Sequence, residues 1–271
     1  VEKYFAPYDG RRSYHSFGSR LLRDTINLKL IIIAAGQGSR LRAKTDKPKT
    51  LTKIHGTPII DTLLNNCKKN SIKEILIITG YNSNSIEKYL HDRWRDLNVR
   101  YIHNDEWRLE NGISVLKAMP NIEPNEEFLI SMSDHLYFSD SLEVVMNSQL
   151  NNKLVNVGLD LNIESIFDIE DGMKVQVDTE NFIISKMSKN LRNYNAIDIG
   201  LFKCKYDFFH YLNGAYKKNQ CSLSGGCNAL IEDGLLGGVD IDNRFWLDID
   251  TPEALSYAMG NEKVKDLIIN Q

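Results

Sequence analysis

No apolar run in this chain approaches the ~20 residues of a membrane-spanning helix, and the N-terminus lacks the apolar core of a signal peptide. Direct membrane insertion is therefore not expected. Cysteine is scarce: Cys67, Cys204, Cys221 and Cys227 are the whole complement of 271 residues. Cys221 and Cys227 are close in sequence but have neither metal-type spacing nor a neighbouring histidine. The thiols are expected to be free, in a reducing, cytoplasmic setting. A strong charge of either sign is also missing. The formal net charge of −3 gives no global reason to expect nucleic acid or an anionic membrane as partner. Internal repeats and low-complexity tracts are absent. What remains, 42% hydrophobic and 25% charged, is an ordinary globular composition, sufficient for one large α/β domain or two small ones.

The first 27 residues are polar and without clear periodicity, and read as an N-terminal extension with a short helix around Ser19 to Asp24. From Leu28 the pattern is regular. Buried-strand runs at Lys29–Ala35, Glu74–Thr79, Val99–His103 and Glu127–Ser133 alternate with helical spacing at Pro58–Lys69, Ser85–His91, Gly112–Met119 and Ser141–Ser148. Strands alternating with helices predict βαβ units and a mainly parallel sheet. After Lys153 the texture changes. Met173–Val177 and Phe182–Met187 flank a turn as a hairpin, Ile197–Phe202 returns as a strand, and Phe245–Asp250 precedes a helix opening at Thr251-Pro252. The expectation is one domain over 28–271, Rossmann-like with a mixed, mainly parallel sheet and a small β-rich lobe over about 153–220.

A local concentration of charge stands out against the weak global balance. The segment Ile31 to Leu51 reads IIIAAGQGSRLRAKTDKPKTL: an apolar run stops at Gly36-Gln37-Gly38, and Arg40, Arg42, Lys44, Lys47 and Lys49 follow. Glycines at a strand's end let backbone N–H groups face an anion without Cβ obstruction. The dinucleotide fingerprint would need glycine where Leu41 stands, and the P-loop would need a closing Gly-Lys-Ser/Thr. Both fail, which sets aside a dinucleotide-dependent oxidoreductase. Asp134, in SMSDHLY, sits at the end of a buried strand, where open α/β sheets bind ligands, though it could equally cap the next helix. Asp248 and Asp250, in WLDIDT, end another strand and share one face by period-two alternation; Asp250 or Thr251 could also be an N-cap.

With Gly-x-Gly-Ser-Arg-Leu and Lys47-Pro48-Lys49-Thr50-Leu51 on one segment, the chain resembles the nucleotidyltransferase family that makes NDP-sugars and CDP-alcohols. The resemblance runs from about Leu28 to Ala258. It implies a loop (Ala34, Ala35, Gly36, Gln37, Gly38, Ser39) wrapping a nucleoside triphosphate, with Lys49 and Arg40 as catalytic cations on the reacting phosphates. It further implies base and ribose contacts from Gly80, Tyr81, Glu110, Asn111, Gly112 and Ser114. Asp134 and Asp248, with Asp250 beside them, would hold Mg²⁺, a cation that takes a few carboxylates plus phosphate oxygens. Asp250 stands where such enzymes commonly have glycine.

MSDHLY, LENGISVLKA, WLDIDT and SKNLRNYNAIDIGLF together resemble the archaeal and bacterial CTP:inositol-1-phosphate cytidylyltransferases more than the glucose-1-phosphate enzymes. That branch implies CTP and inositol 1-phosphate as substrates, with Lys189 and Asp198 bordering the acceptor; Arg192 is added on charge alone. Lys174, Asn193 and Asn195 in the same segments, with scattered aromatics (Phe167, Phe182, Tyr194), favour a polyol phosphate over choline, which would need an aromatic cage. Phosphocholine, aminoalkyl-phosphonate and sugar-1-phosphate enzymes are the alternatives, abundant asparagine being atypical of hyperthermophile proteins. An inactive regulatory relative is a further alternative, against which Lys49 and the aspartates are intact. The branch also implies a membrane CDP-alcohol phosphotransferase as a fused or separate partner, so the chain is expected to be either whole or one domain of a longer protein.

Overall fold

The computed structural model describes residues 28–42 and 48–269. The helix expected around Ser19 to Asp24, Lys44 and Lys47 lie outside the described residues.

Strand β1 (Lys29–Ala34) leads into the short helix α1 (Ser39–Arg42), and a small ribbon, β2 (Lys53–Ile54) and β3 (Thr57–Pro58), precedes α2 (Ile59–Lys69). The alternation continues through β4 (Glu74–Thr79), α3 (Ser83–Arg93), β5 (Asn98–His103), α4 (Gly112–Ala118) and β6 (Glu127–Met132). Strands β1, β4, β5 and β6 pair in parallel in the order β6-β1-β4-β5. Each of β1, β4 and β6 is an almost unbroken apolar run because helices cover both faces of the sheet. Along β1 the period of two sorts the side chains: Ile31 and Ile33 enter one core, Leu30, Ile32 and Ala34 the other. Helices α2 and α3 close the second core with Leu63, Leu64, Ile86 and Leu90. Buried Asp61 ties these helices together by accepting from Tyr89 Oη (2.7 Å), Arg93 Nε (2.8 Å) and Trp94 Nε1 (2.7 Å).

Beyond β6 the direction reverses. After β7 (His135–Tyr137) and α5 (Ser139–Asn147) come β8 (Val155–Asp160), the hairpin β9 (Lys174–Val177) and β10 (Ile184–Ser188), and the long β11 (Ala196–Lys205). Helices α6 (Phe208–Lys217) and α7 (Leu223–Glu232), β12 (Leu236–Asp240), β13 (Trp246–Asp248), α8 (Pro252–Gly260) and α9 (Glu262–Ile269) complete the chain. Among the described residues nine strands form one sheet, with β11 antiparallel to both β6 and β8. Thus β8 and β11, within the segment assigned to the lobe, join the main sheet, and the hairpin β9–β10 extends its edge through the pairing of β9 with β11. Near its middle β11 creases: its register against β8 shifts between Asp198 and Phe202. Gly200 sits there at φ +75°, where a Cβ would lie 2.9 Å from Met132 Cγ and 3.0 Å from the His135 ring.

Within the described residues the expected elements are present with boundaries moved by a few residues, and the strand placed at Phe245–Asp250 is shorter, Trp246–Asp248. It pairs with β7 outside the main sheet.

Candidate active site

The site forms where β1 and β6, neighbouring parallel strands, release their chains at the same sheet edge. Behind β1, Gly38 has φ +61°, and a Cβ there would stand 2.7 Å from Lys49 Cβ. Glycine therefore lets the Lys49 stem pass close under the loop. Pro48, Lys49 and Thr50 are buried, Lys49 being only 8% exposed, so its ammonium must find carboxylates nearby.

Those carboxylates come from two strand ends brought together by the β7–β13 ribbon. Asp248 pairs across it with His135, and the Ile249 N–H donates to the Asp134 carbonyl at 3.0 Å. Lys49 Nζ donates to Asp134 Oδ2 at 2.6 Å, pairs with Asp250, and lies 3.9 Å from Asp248 Oδ1. His135 Nδ1 lies 2.8 Å from Asp134 Oδ1 and 3.8 Å from Asp248 Oδ1, and its ring stacks on Trp246. Arg40 pairs with Asp250 and, at 2.6 Å, with Asp171, which in turn accepts from Lys189 at 3.0 Å.

Burial alone would raise the Asp134 carboxyl, but the Lys49 charge and the His135 hydrogen bond outweigh it and hold the group well below the usual carboxylate range. Asp248 goes the other way. Burial raises it, and neighbouring Asp134 adds to the rise against the opposing pull of His135 and Lys49. At His135 burial disfavours the charged ring, yet the carboxylates of Asp248 and Asp134 lift its pKa. Burial pushes the Asp198 carboxyl up to about 7, against the Gly200 N–H that donates to it at 2.7 Å.

Two cavities meet at this cluster. The smaller, about 320 Å³, lies under the β1 loop and is lined by Ala34, Ala35, Gly36, Gly38, Ser39, Arg40, Lys49, Trp107, Asn111 and Ser114 among others. The larger, about 580 Å³, runs over the crease of β11 and carries Asp171, Lys189, Asp198 and Asp248. Asn111, Met132, Asp134 and Asp250 line both.

Most of the residues singled out in the sequence converge here. Gln37 is exposed on the loop and outside both linings. Gly80 and Tyr81 act one layer behind: the Tyr81 N–H donates to the Ala35 carbonyl at 3.0 Å, and a Cβ on Gly80 would meet Trp107 Cβ at 2.5 Å. Glu110 faces the larger cavity, and Gly112 backs onto the Cys221–Ser222 backbone. Asn111 Oδ1 accepts from the Leu223 N–H at 2.8 Å, fixing α4 against α7, while the Ser114 hydroxyl accepts from Asn104 Nδ2 at 3.1 Å.

The acceptor set is partly reassigned. Arg192 is exposed and outside the cavity lining, because the turn between β10 and β11 carries it outward. Lys174 is buried and donates to the Glu170 and Lys189 carbonyls, and Asn195 bonds the Val177 backbone on both sides. Both serve the hairpin. Phe167 does line the larger cavity, stacked on Tyr257 with ring centroids 4.1 Å apart, whereas Phe182 packs against the core. Asp171, His135, Trp107 and Trp246 were not singled out. Asp171 lies in a turn with no motif around it, but His135 and Trp246 adjoin the aspartates already chosen.

The fold matches that of the nucleotidyltransferases. Residues 30–152, the part that carries the β1 loop, Lys49 and Asp134, match the model of the MobA-like NTP transferase domain. The chain is 26% identical, over 83% of its length and 42% of that protein, to a bifunctional IPC transferase and DIPP synthase of Archaeoglobus fulgidus. It is 27% identical to the CTP:phosphoglutamine cytidylyltransferase of Campylobacter jejuni over 70% of this chain and 78% of that one. Among solved structures, the inositol-1-phosphate CTP transferase from T. maritima superimposes with a TM-score of 0.77 at 25% identity, covering 90% of this chain and 96% of that one. The chain spans about half the length, 42–50%, of the bifunctional relatives it matches.

Proposed function

We propose that the chain transfers CMP from CTP to a phosphorylated alcohol, inositol 1-phosphate first among them, giving CDP-inositol and pyrophosphate. The observation that carries this reading is the pair of cavities with a common wall at Asp134 and Asp250, beneath Lys49. A nucleotide under the β1 loop and an acceptor over the β11 crease would meet at that wall. An oxygen of the acceptor's phosphate attacks the α-phosphorus, the bond from that phosphorus to the bridging oxygen of the β-phosphate breaks, and pyrophosphate leaves with the electron pair. The nucleophile arrives anionic, so no general base is needed, and alignment with charge neutralisation does the work. Lys49 and Arg40 would exchange carboxylates for the phosphates.

The donor set fits a hard divalent cation. Asp248 Oδ1 is buried without a hydrogen-bond partner, and Asp134, His135 and Asp248 offer atoms within 4.8 Å of one another, as do Asp171, Asp248 and Asp250. Mg²⁺ held by Asp134 and Asp248, with Asp250 beside them, would supply charge neutralisation at the phosphates. Asp198, neutral at the acceptor's edge up to about pH 7, would donate to a hydroxyl or phosphate oxygen.

One observation favours a second acceptor class. Beyond the Mg²⁺ aspartates, the larger cavity adds Glu110, Asp168 and Asp171 against Lys189, together with Phe167 and Trp246. Carboxylates beside aromatic faces suit a cationic head such as phosphocholine. Comparing kcat/KM for inositol 1-phosphate and phosphocholine with CTP and Mg²⁺ decides between them. Preference for phosphocholine would overturn the inositol assignment and leave nucleotidyl transfer intact. A membrane CDP-alcohol phosphotransferase, fused or separate, would consume the product in a cytoplasmic setting. No helix among the described residues is long and apolar enough to cross a membrane.

A further inference from the structure

Asp171 stands between two cations that come from opposite sides of the site. Its Oδ2 accepts from Arg40 Nη1 at 2.6 Å and its Oδ1 from Lys189 Nζ at 3.0 Å. Arg40 belongs to the smaller cavity and Lys189 to the larger, and both cationic side chains are 50% exposed, so neither needs this carboxylate to satisfy a buried charge. We propose that the Asp171 carboxylate is an internal stand-in for the acceptor's phosphate, and that the acceptor binds by exchanging its phosphate for Asp171 between Arg40 and Lys189. This rests on reading the larger cavity as the acceptor chamber.

Three physical points support the exchange. Solvent-exposed ion pairs of this kind contribute little to stability, so opening them costs little. A phosphate monoester carries up to two charges and three strong acceptor oxygens, and so outcompetes a single carboxylate for a guanidinium and an ammonium. Asp171 lies in a turn closed by its own N–H to the Asp168 carbonyl at 3.1 Å, outside any strand, so its side chain can swing away without breaking the sheet. Arg40 keeps Asp250 as a second partner and stays oriented after the exchange. The stand-in lowers the acceptor's apparent affinity in return for a preset geometry.

The test needs no turnover, so it is independent of whether the chain transfers CMP. Binding of inorganic phosphate is measured by calorimetry at low salt, without nucleotide, for the parent, Asp171→Asn, Lys189→Ala and the double variant, each checked by thermal melting. Asp171→Ser serves as a second removal of the carboxylate. The expected result is phosphate binding on the order of fivefold to tenfold tighter in Asp171→Asn and Asp171→Ser, with the gain lost once Lys189 is also replaced. Unchanged or weaker phosphate binding without the Asp171 carboxylate would overturn the proposal. So would a gain that persists without Lys189, since the anion would then be landing on the β1 loop.

Discussion

Asp134 and Asp248 differ in what surrounds them more than in chemistry. Asp134 has its charge matched by Lys49 and His135, whereas Asp248 Oδ1 is buried with cations no nearer than 3.8 Å. An ionised oxygen so placed calls for a metal ion. Asp134→Asn and Asp248→Asn should each move half-maximal activity to at least about tenfold higher Mg²⁺, as lost ligands do. A metal titration coinciding with the parent's in both variants would refute the ligand assignment. Asp198 supplies a pH signature. The folded carboxyl keeps its proton to about 7, whereas an unfolded one loses it near ~4. Between those values the folded state binds more protons, so this group's contribution to stability declines as pH rises. Asp198→Asn keeps the acceptor for the Gly200 N–H but does not titrate. Its melting temperature should therefore fall less than the parent's between about pH 5 and pH 8. Parallel declines would show that Asp198 is not the group responsible.

At the scale of elements, two devices position the cluster: the β7–β13 ribbon that joins Asp134 to Asp248, and the Asp61 anchor that fixes α3 on α2 behind β4. Replacing Asp61 with Ala leaves buried Trp94 Nε1 without its acceptor and removes the carboxylate shared by Tyr89 and Arg93. The expected loss is about 3 kcal/mol, with Asp61→Asn losing less, read from urea midpoints at constant slope. A loss under about 0.5 kcal/mol would mean the anchor is incidental. Legibility in the sequence divided along the same physical line. Lys29–Ala34, Glu74–Thr79 and Glu127–Met132 were readable because strands buried on both faces must be apolar throughout. Strand β8 (VNVGLD) and β12 (LGGVD) were not, since asparagine and glycine dilute the pattern and only burial in the sheet makes them strands. Helices α6 and α7 were hidden likewise, by aromatics and internal glycines of low helix propensity.

Across the whole molecule, the half of the site under the β1 loop was written in local sequence, because a glycine turn, a Pro-Lys pair and strand-end aspartates each carry a spacing. The larger cavity was legible only in part: Lys189 and Asp198 line it, but the rest of its walls comes from the turn before β9, the crease of β11 and the start of α7, so Lys174, Arg192 and Asn195 looked eligible until the fold turned them to structural work or to solvent. The central claim concerns the reaction at the meeting of the two cavities. It is tested most directly by measuring pyrophosphate release from CTP, UTP, GTP and ATP with Mg²⁺, with and without inositol 1-phosphate, for the parent and Lys49→Ala. The expected outcome is stoichiometric pyrophosphate and CDP-inositol from CTP only when the acceptor is present, falling by at least about a hundredfold in Lys49→Ala, which still melts cooperatively but at a lower temperature because Asp134 and Asp250 lose their buried partner. Acceptor-independent release, or a parent and Lys49→Ala of equal rate, would contradict the account.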